Sequence, residues 1–424
     1  MKHNAGMKSL NASQIATLLQ GRNLVNPRVV VSGNQAIPWQ LLNVLDETLP
    51  EYRINALNAP KGLPRRDGVT YETSFVGAGM RGSGRLVYTP ARLSMVPLLF
   101  GTTRAPDVLL LHTSAPRNGK LSLGVEVNIL PAAIEAAQKR GALILAQANS
   151  RMPYTFGDGE YDVDVFDGVL EVDEFLPALP PREAPAAGST DARGDSAAQI
   201  GALVAGRIRD GATMQLGIGE VPDAVLLGLT RLKNLGVWSE MFSDGVLALD
   251  AAGALDPSRK IISSFAFGSQ ALYDWIHEND RIVMLRTEKT NDPAQIAQQP
   301  GMTSVNTALQ IDLFGQANAS RIGARIFSGF GGQTDFIVGA SHAPGGQAIM
   351  ALRSWHPKAQ VSTIVGMLGE PTTSFQPTAV VTEQGVAEIF GYDEKRQAAM
   401  LIEHAAHPNA REHLWYEARR LGLT

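Results

Sequence analysis

The chain contains no cysteine. Disulfide scaffolds, thiol nucleophiles and cysteine-ligated zinc or iron–sulfur sites are therefore excluded. No apolar run approaches the ~18 residues that a membrane-spanning helix needs. Met1 to Gln20 holds Lys2 and Lys8 but no apolar block of the signal-peptide kind. Neither sign of charge dominates, since 37 Lys and Arg stand against 41 Asp and Glu for a net charge of −4. The longest basic tracts are pairs, such as Arg65-Arg66 and Arg419-Arg420. Binding to a phosphate backbone has no electrostatic footprint here, so neither a nucleic acid nor a membrane is expected as a partner. A cytoplasmic location fits these absences.

Several motifs are also missing. No GxSxG elbow occurs, and Gly119-Lys120 runs into Leu121 without the upstream glycine of a P-loop. Gly77-Ala-Gly-Met-Arg-Gly82 spells GxGxxG, but Ser83 to Pro90 reads as strand and turn rather than helix. No Asp or Glu lies between Glu72 and Asp107, so the acidic residue of a dinucleotide site is missing as well. A structural or substrate-facing loop is the better reading. His404 and His407 have a spacing that could face one side of a helix, but a zinc site needs a third ligand. A solvated helix end is expected there, and no metal is assigned.

What the chain does have is bulk and punctuation. Its 424 residues are 44% hydrophobic and 18% charged, enough for a large core in two or three domains. Forty-two glycines and 24 prolines separate short apolar runs from helical patterns. Val29–Val31, Val108–Leu111, Leu143–Ala146, Met214–Leu216 and Ile261-Ile262 read as buried strands. Ser13 is a candidate N-cap for a first helix carrying Ile15, Leu18 and Leu19. Pro131 suits the first turn of another, through Ile134 and Ala137. This alternation predicts an α/β architecture with mainly parallel sheets. A Pro-rich seam with Pro177, Pro180, Pro181 and Pro185 predicts an N-terminal domain over 1–180, a linker over 181–194 and a C-terminal domain over 195–424.

The chemistry concentrates in the C-terminal half. Asp195 or Ser196 is a candidate cap for a helix through Ile200 and Val204, followed by the strand at Met214. Gly217-Ile218-Gly219 then joins that strand to a helix opened by Pro222 and Asp223. Converging backbone N–H groups at such a junction favour a negative oxygen. Gly236 to Gly245 predicts a strand ending at Glu240 among aromatic and sulfur side chains. A carboxylate at the carboxyl end of a strand sits where α/β sheets place their chemistry. Partial desolvation makes it a better nucleophile while raising its pKa. Gly331-Gly332-Gln333 lets the backbone approach a ligand closely. Ala379 to Glu388 predicts another strand, ending in Glu383 ahead of a helix.

Taken in order, these pieces resemble the acetyl-CoA hydrolase/transferase family of class I CoA-transferases. The resemblance spans nearly the whole chain. It is carried by Tyr88 to Pro97, Ser122-Leu-Gly124, Ala146 to Asn149 with Met152-Pro153, and Gly217 to Gly219 with Pro222-Asp223. It continues through Ser239 to Gly245, Asn291-Asp-Pro293, Asn306, Asp312 to Gln316, Gly331 to Phe336 and Thr382 to Gly385. The resemblance implies two open α/β domains of CoA-transferase type with the active site between them. It implies Glu240 as the catalytic glutamate, supported by Glu383 and Asn291. Gly331, Gly332 and Gln333 would meet the thioester oxygen and pantetheine arm, and Gly217, Ile218 and Gly219 would flank the nucleophile. Asn149, Met152 and Pro153 would line an acid pocket.

The implied activity exchanges CoA between an acyl-CoA and a small carboxylate through a glutamyl-CoA thioester. Coenzyme A is then a substrate, with no tightly bound cofactor, and relatives with this pattern are often homo-oligomers. An acyl-CoA hydrolase using the same glutamate is the near alternative; a non-catalytic CoA-binding protein and an NAD-linked dehydrogenase are more distant ones. One departure stands out. Ile389-Phe390-Gly391 replaces the Leu-Arg-Gly of many relatives. With Trp238, it favours a four- or five-carbon acid such as itaconate, succinate or 4-hydroxybutyrate over acetate, with Arg81, Arg85 and Arg92 as candidate partners for a second carboxylate.

Overall fold

A computed structural model describes residues 6–178 and 192–424. The chain divides into two compact units, Met1–Pro180 with Ile262–Thr290 and Pro181–Ile261 with Asn291–Thr424. The division departs from a continuous C-terminal domain over 195–424, because residues 262–290 return to the N-terminal unit. There Val283 and Met284 pair in parallel with Phe156 and Gly157. Thr287 donates its N–H to the Asn128 carbonyl, and Arg286 grips Glu135 with both terminal nitrogens. Local pattern marks the strand at Ile261–Ser263; which unit a strand joins depends on non-local pairing. Of the expected linker, 181–191 lie outside the described residues. Residues 192–194 already belong to a helix, so Asp195 and Ser196 fall inside it rather than at its cap.

The N-terminal unit is built on seven strands: β1 (Arg28–Val31), β2 (Tyr52–Asn55), β3 (Val69–Thr73), β4 (Leu86–Tyr88), β5 (Val108–Ser114), β6 (Leu143–Asn149) and β7 (Gly168–Val172). Their order is β7-β6-β5-β1-β2-β3-β4, and every neighbouring pair is parallel. β1, β5 and β6 are buried along their whole length, as apolar runs in a sheet covered on both faces must be. Helix α1 (Ala12–Gln20) buries Ile15 and Leu19. Its cap is Asn11 rather than Ser13: Asn11 and Gln14 form a reciprocal capping box. Helix α2 (Leu130–Arg140) carries Pro131 in its first turn and ends on left-handed Gly141. The Gly77 motif leads into β4 and not a helix. Gly77 and Gly79 serve close packing instead, since a Cβ at Gly79 would lie 2.0 Å from the Pro60 carbonyl oxygen.

A buried ionic cluster ties β1 to β3 in this unit. Glu72 is 2% exposed and takes Arg28 at 2.6 Å and Arg104 at 3.2 Å. The pairing offsets a desolvation cost that an isolated carboxylate there could not meet.

The C-terminal unit repeats the plan with six strands: β8 (Thr213–Leu216), β9 (Gly236–Val237), β10 (Thr303–Asn306), β11 (Gln347–Ala351), β12 (Ala379–Thr382) and β13 (Gly385–Glu388). The order is β9-β8-β10-β11-β12-β13, parallel throughout except for the final antiparallel hairpin. Helix α3 (Ala192–Ala205) crosses helix α4 (Glu220–Gly228) at small residues, where a Cβ on Gly201 would lie 2.6 Å from the Ala224 Cβ. The short helix α5 (Pro293–Ile296) lies under helix α6 (Gln333–His342), with Gly339 close over Ile296. An apolar core including Met302, Phe336, Met350 and Leu401 fills the unit. Because five strands run parallel, their carboxyl ends lie along one edge, the edge at which α/β sheets bind ligands.

Candidate active site

Glu240 lies beyond the end of its strand. β9 stops at Val237, and Glu240 occupies a bend three residues later. The expected strand up to Glu240 is therefore shorter than the apolar pattern implied, because the chain turns once Trp238 has packed on the core. Its neighbours Ser239 and Met241 are buried, at 2% and 6% exposure. With Met214, Leu226, Val237 and Val246 they line a small apolar cavity. Glu240 itself is only half-buried.

Two residues far away in sequence fix its carboxylate. Asn291 is fully buried and donates from Nδ2 to Glu240 Oε2 at 2.9 Å. It is held by the next residue, Asp292, which caps α5 through the Ala294 N–H. Gly332, the N-cap of α6, lies against that hydrogen bond: a Cβ there would lie 1.9 Å from Glu240 Oε2 and 2.2 Å from Asn291 Nδ2. Only glycine fits. Gly331 takes a left-handed φ of +57°, which turns the loop into the helix. The positive end of α6 therefore stands beside the carboxylate. Burial raises the Glu240 pKa to about 7; the Asn291 amide opposes that rise, and the Asp335 carboxylate in the first turn of α6 adds to it. Near neutral pH, Glu240 is a poorly solvated carboxylate with one fixed hydrogen bond, suited to attack an electrophilic carbon.

The other expected residues of this unit share the sheet edge. Gly219 caps α4 with a φ of +127°, and Pro222 sits in the first turn as the sequence predicts. Gly217 and exposed Ile218 lead into it from β8. Gln333 Nε2 donates to the Thr307 carbonyl just after β10, at 3.0 Å. Glu383 is not followed by a helix. It occupies a two-residue turn between β12 and β13, where Gly385 takes a φ of +145° and the chain doubles back. The Val386 to Glu388 pattern is too short to separate strand from helix by periodicity. Glu383 accepts hydrogen bonds from the Ser354 N–H at 3.0 Å, from Ser354 Oγ and from Gln384 Nε2 at 3.2 Å.

Asn149, Met152 and Pro153 belong to the N-terminal unit and are buried there. Asn149 donates to His112 Nε2 and the Glu174 carbonyl, and accepts from the Arg151 and Glu174 N–H groups. Burial pushes His112 down to about 4, so it is neutral. Met152 packs with Ala36, Val125, Leu176 and Tyr273. Phe390 is 63% exposed, and Trp238 packs against the C-terminal core. Arg85 is bound to the carbonyls of Arg65 and Arg66. His407 accepts the Asn409 N–H at the start of the last helix, a capping role.

Sequence reasoning gave no role to Asp335 or Ser354. Asp335 stood in view within the Gly331–Phe336 run, but its burial beside the site depends on how α6 docks. Ser354 had no local signal. It faces Glu383 because β11 and β12 are neighbours in the sheet.

The carboxylate in a glycine cradle, on the carboxyl edge of an open parallel sheet, marks an α/β enzyme of CoA-transferase type. Family models agree: residues 67–180 match the acetyl-CoA hydrolase/transferase N-terminal domain, and residues 268–418 match its C-terminal domain. The chain is 36% identical over 416 residues to the 4-hydroxybutyrate coenzyme A transferase of Clostridium kluyveri, covering 93% of this chain and 94% of that one. A solved 4-hydroxybutyrate CoA-transferase from Porphyromonas gingivalis superposes with a TM-score of 0.78 at 28% identity, over 98% of both chains. An acetyl-CoA hydrolase of Kluyveromyces lactis is 30% identical over 205 residues, 46% of this chain and 38% of that one. The chain belongs to the acetyl-CoA hydrolase/transferase family.

Proposed function

We propose that the protein is an acyl-CoA:carboxylate CoA-transferase working by a ping-pong mechanism through Glu240. The observation that carries this reading is the Glu240 carboxylate, held by Asn291 at 2.9 Å and pressed by Gly332. A Glu240 oxygen attacks the thioester carbonyl carbon and expels CoA thiolate, leaving an acyl-glutamyl anhydride. The thiolate attacks the glutamyl carbonyl and releases the first acid as its carboxylate. The enzyme is left as a glutamyl-CoA thioester. The second acid attacks that thioester, and the thiolate then attacks the new acyl carbon, giving the new acyl-CoA and free Glu240. One thioester replaces another, so the cycle needs no external energy source.

Backbone N–H groups of the glycine loops support the oxyanions; loss of one such donor typically costs about 2.7–4 kcal/mol. Glu383 and Asn291 support the site. The acceptor proposed is a four- or five-carbon acid, itaconate, succinate or 4-hydroxybutyrate. The test is to incubate the enzyme with succinyl-CoA or acetyl-CoA, trap with borohydride or hydroxylamine, and map the peptides. A CoA-dependent modification of Glu240 is expected. Free CoA accumulating with Glu240 unmodified would move the reading to hydrolysis. Equal preference for acetate in an acid panel would overturn the acceptor.

A further inference from the structure

Three polar side chains share one face of the C-terminal sheet directly below the glycine loops. Gln215 on β8 and Ser304 on β10 are 6% and 0% exposed and sit opposite each other in register. Asn306 follows two residues after Ser304, on the same face at the strand's carboxyl end, and is half-buried. Ser304 Oγ donates to Gln215 Oε1 at 2.7 Å. Asn306 Nδ2 donates to both, to Ser304 Oγ at 2.8 Å and to Gln215 Oε1 at 3.2 Å. Polar groups so deep in a sheet are costly unless paired, and these pair with one another through Ser304 Oγ, Gln215 Oε1 and Asn306 Nδ2.

With Gln215 Oε1 turned toward Asn306, the network orients the Asn306 amide. Both Nδ2 hydrogens point inward. Turning the amide over would set Oδ1 against Gln215 Oε1, two acceptors face to face. The planar amide therefore directs Oδ1 the other way, and among the described residues none donates to it. Its surroundings are those of the site. The next residue, Thr307, accepts from Gln333, which follows the Gly332 that touches Glu240. Gly217 follows the strand residue paired with Val305.

We infer that Asn306 Oδ1 is a preset hydrogen-bond acceptor for an N–H or O–H donor of the substrate. The inference rests on the CoA-transferase reading for what those donors are. Two sources share the chemistry: an amide N–H of the pantetheine arm, and the hydroxyl of a hydroxy acid. The arm is long, and its amides lie close to the sulfur that must reach Glu240.

Calorimetry on the full chain tests this without turnover, comparing wild type with Asn306→Ala and Asn306→Ser. The probes are CoA, CoA analogues with one or other pantetheine amide replaced by an ester, 4-hydroxybutyrate and butyrate. An uncharged hydrogen bond whose partner would be left unpaired is worth about 10- to 100-fold in affinity. A loss of that size for CoA that vanishes for one ester analogue supports the inference and assigns the amide. The same loss for 4-hydroxybutyrate but not butyrate supports it and assigns the hydroxyl. Equal loss for all probes, no loss for any, or no binding of any probe by wild type overturns it. The Ser variant, which keeps a small hydroxyl toward Gln215, gives the same comparison if the Ala variant does not fold. Trapping at Glu240 reads the transfer chemistry separately, so a positive trap with an unchanged Asn306 profile defeats only the inference.

Discussion

The raised pKa of Glu240 makes a prediction about stability as well as reactivity. Its carboxyl moves from an ordinary value of 4.5 to about 7, chiefly because burial disfavours the charge. Between those two values the unfolded chain has lost the proton and the folded chain has kept it. Stability therefore falls as pH rises through that window, and the full cost stands above pH 7. At 1.36 kcal/mol per unit, and because the half-buried side chain keeps some water, the cost is at most about 3 kcal/mol at pH 8 and under about 1 kcal/mol at pH 5. Glu240→Gln removes the charge and keeps an oxygen for Asn291. The variant is expected to be more stable than wild type at pH 8 and nearly equal at pH 5, while losing transfer activity at both. On a unit of this size, about 3 kcal/mol corresponds to roughly 6–12 °C in the melting midpoint. Scanning calorimetry of both proteins at the two pH values checks this. A shift of the same size at pH 5 and pH 8 would refute the burial argument, and a lower midpoint for the variant at pH 8 would reverse its sign.

Other outcomes follow from the same geometry. Asn291→Ala removes a hydrogen bond that favours the charged form, so the acidic limb of the thioester-formation rate should move up from about 7 by one to two pH units, read from a single-turnover pH profile. An unmoved limb would mean that Asn291 positions Glu240 without tuning it. Gly332→Ala places a methyl group 1.9 Å from Glu240 Oε2, so the carboxylate must shift by more than 1 Å; at least ~100-fold slower trapping at Glu240 is expected, with the circular dichroism spectrum retained. Glu72→Ala in the N-terminal unit leaves Arg28 and Arg104 without their shared carboxylate and should destabilise by about 3–5 kcal/mol, seen in thermal melts. Wild-type stability in that variant would mean that water replaces the carboxylate.

Some of this protein was determined within short stretches of sequence. The apolar runs at Val29, Val108, Leu143 and Met214 became buried strands because a strand covered on both faces must be apolar throughout. Pro131 and Pro222 opened helices because a fixed φ and a missing N–H suit a first turn. Glu240, Asn291, Gly332 and Glu383 could each be picked out as residues of interest in an ordered set of motifs. What the sequence did not hold was their partnership. Asn291 meets Glu240 across 51 positions of chain, and Gly332 presses on both from the cap of α6. The hairpin at Glu383, the return of residues 262–290 to the N-terminal unit and the approach of Ser354 to Glu383 were likewise decided by strand pairing. Periodicity reports which face of a segment is apolar. Strand order and helix docking are set by contacts between distant segments, so the environment that turns an ordinary glutamate into one titrating near 7 exists only in the folded chain.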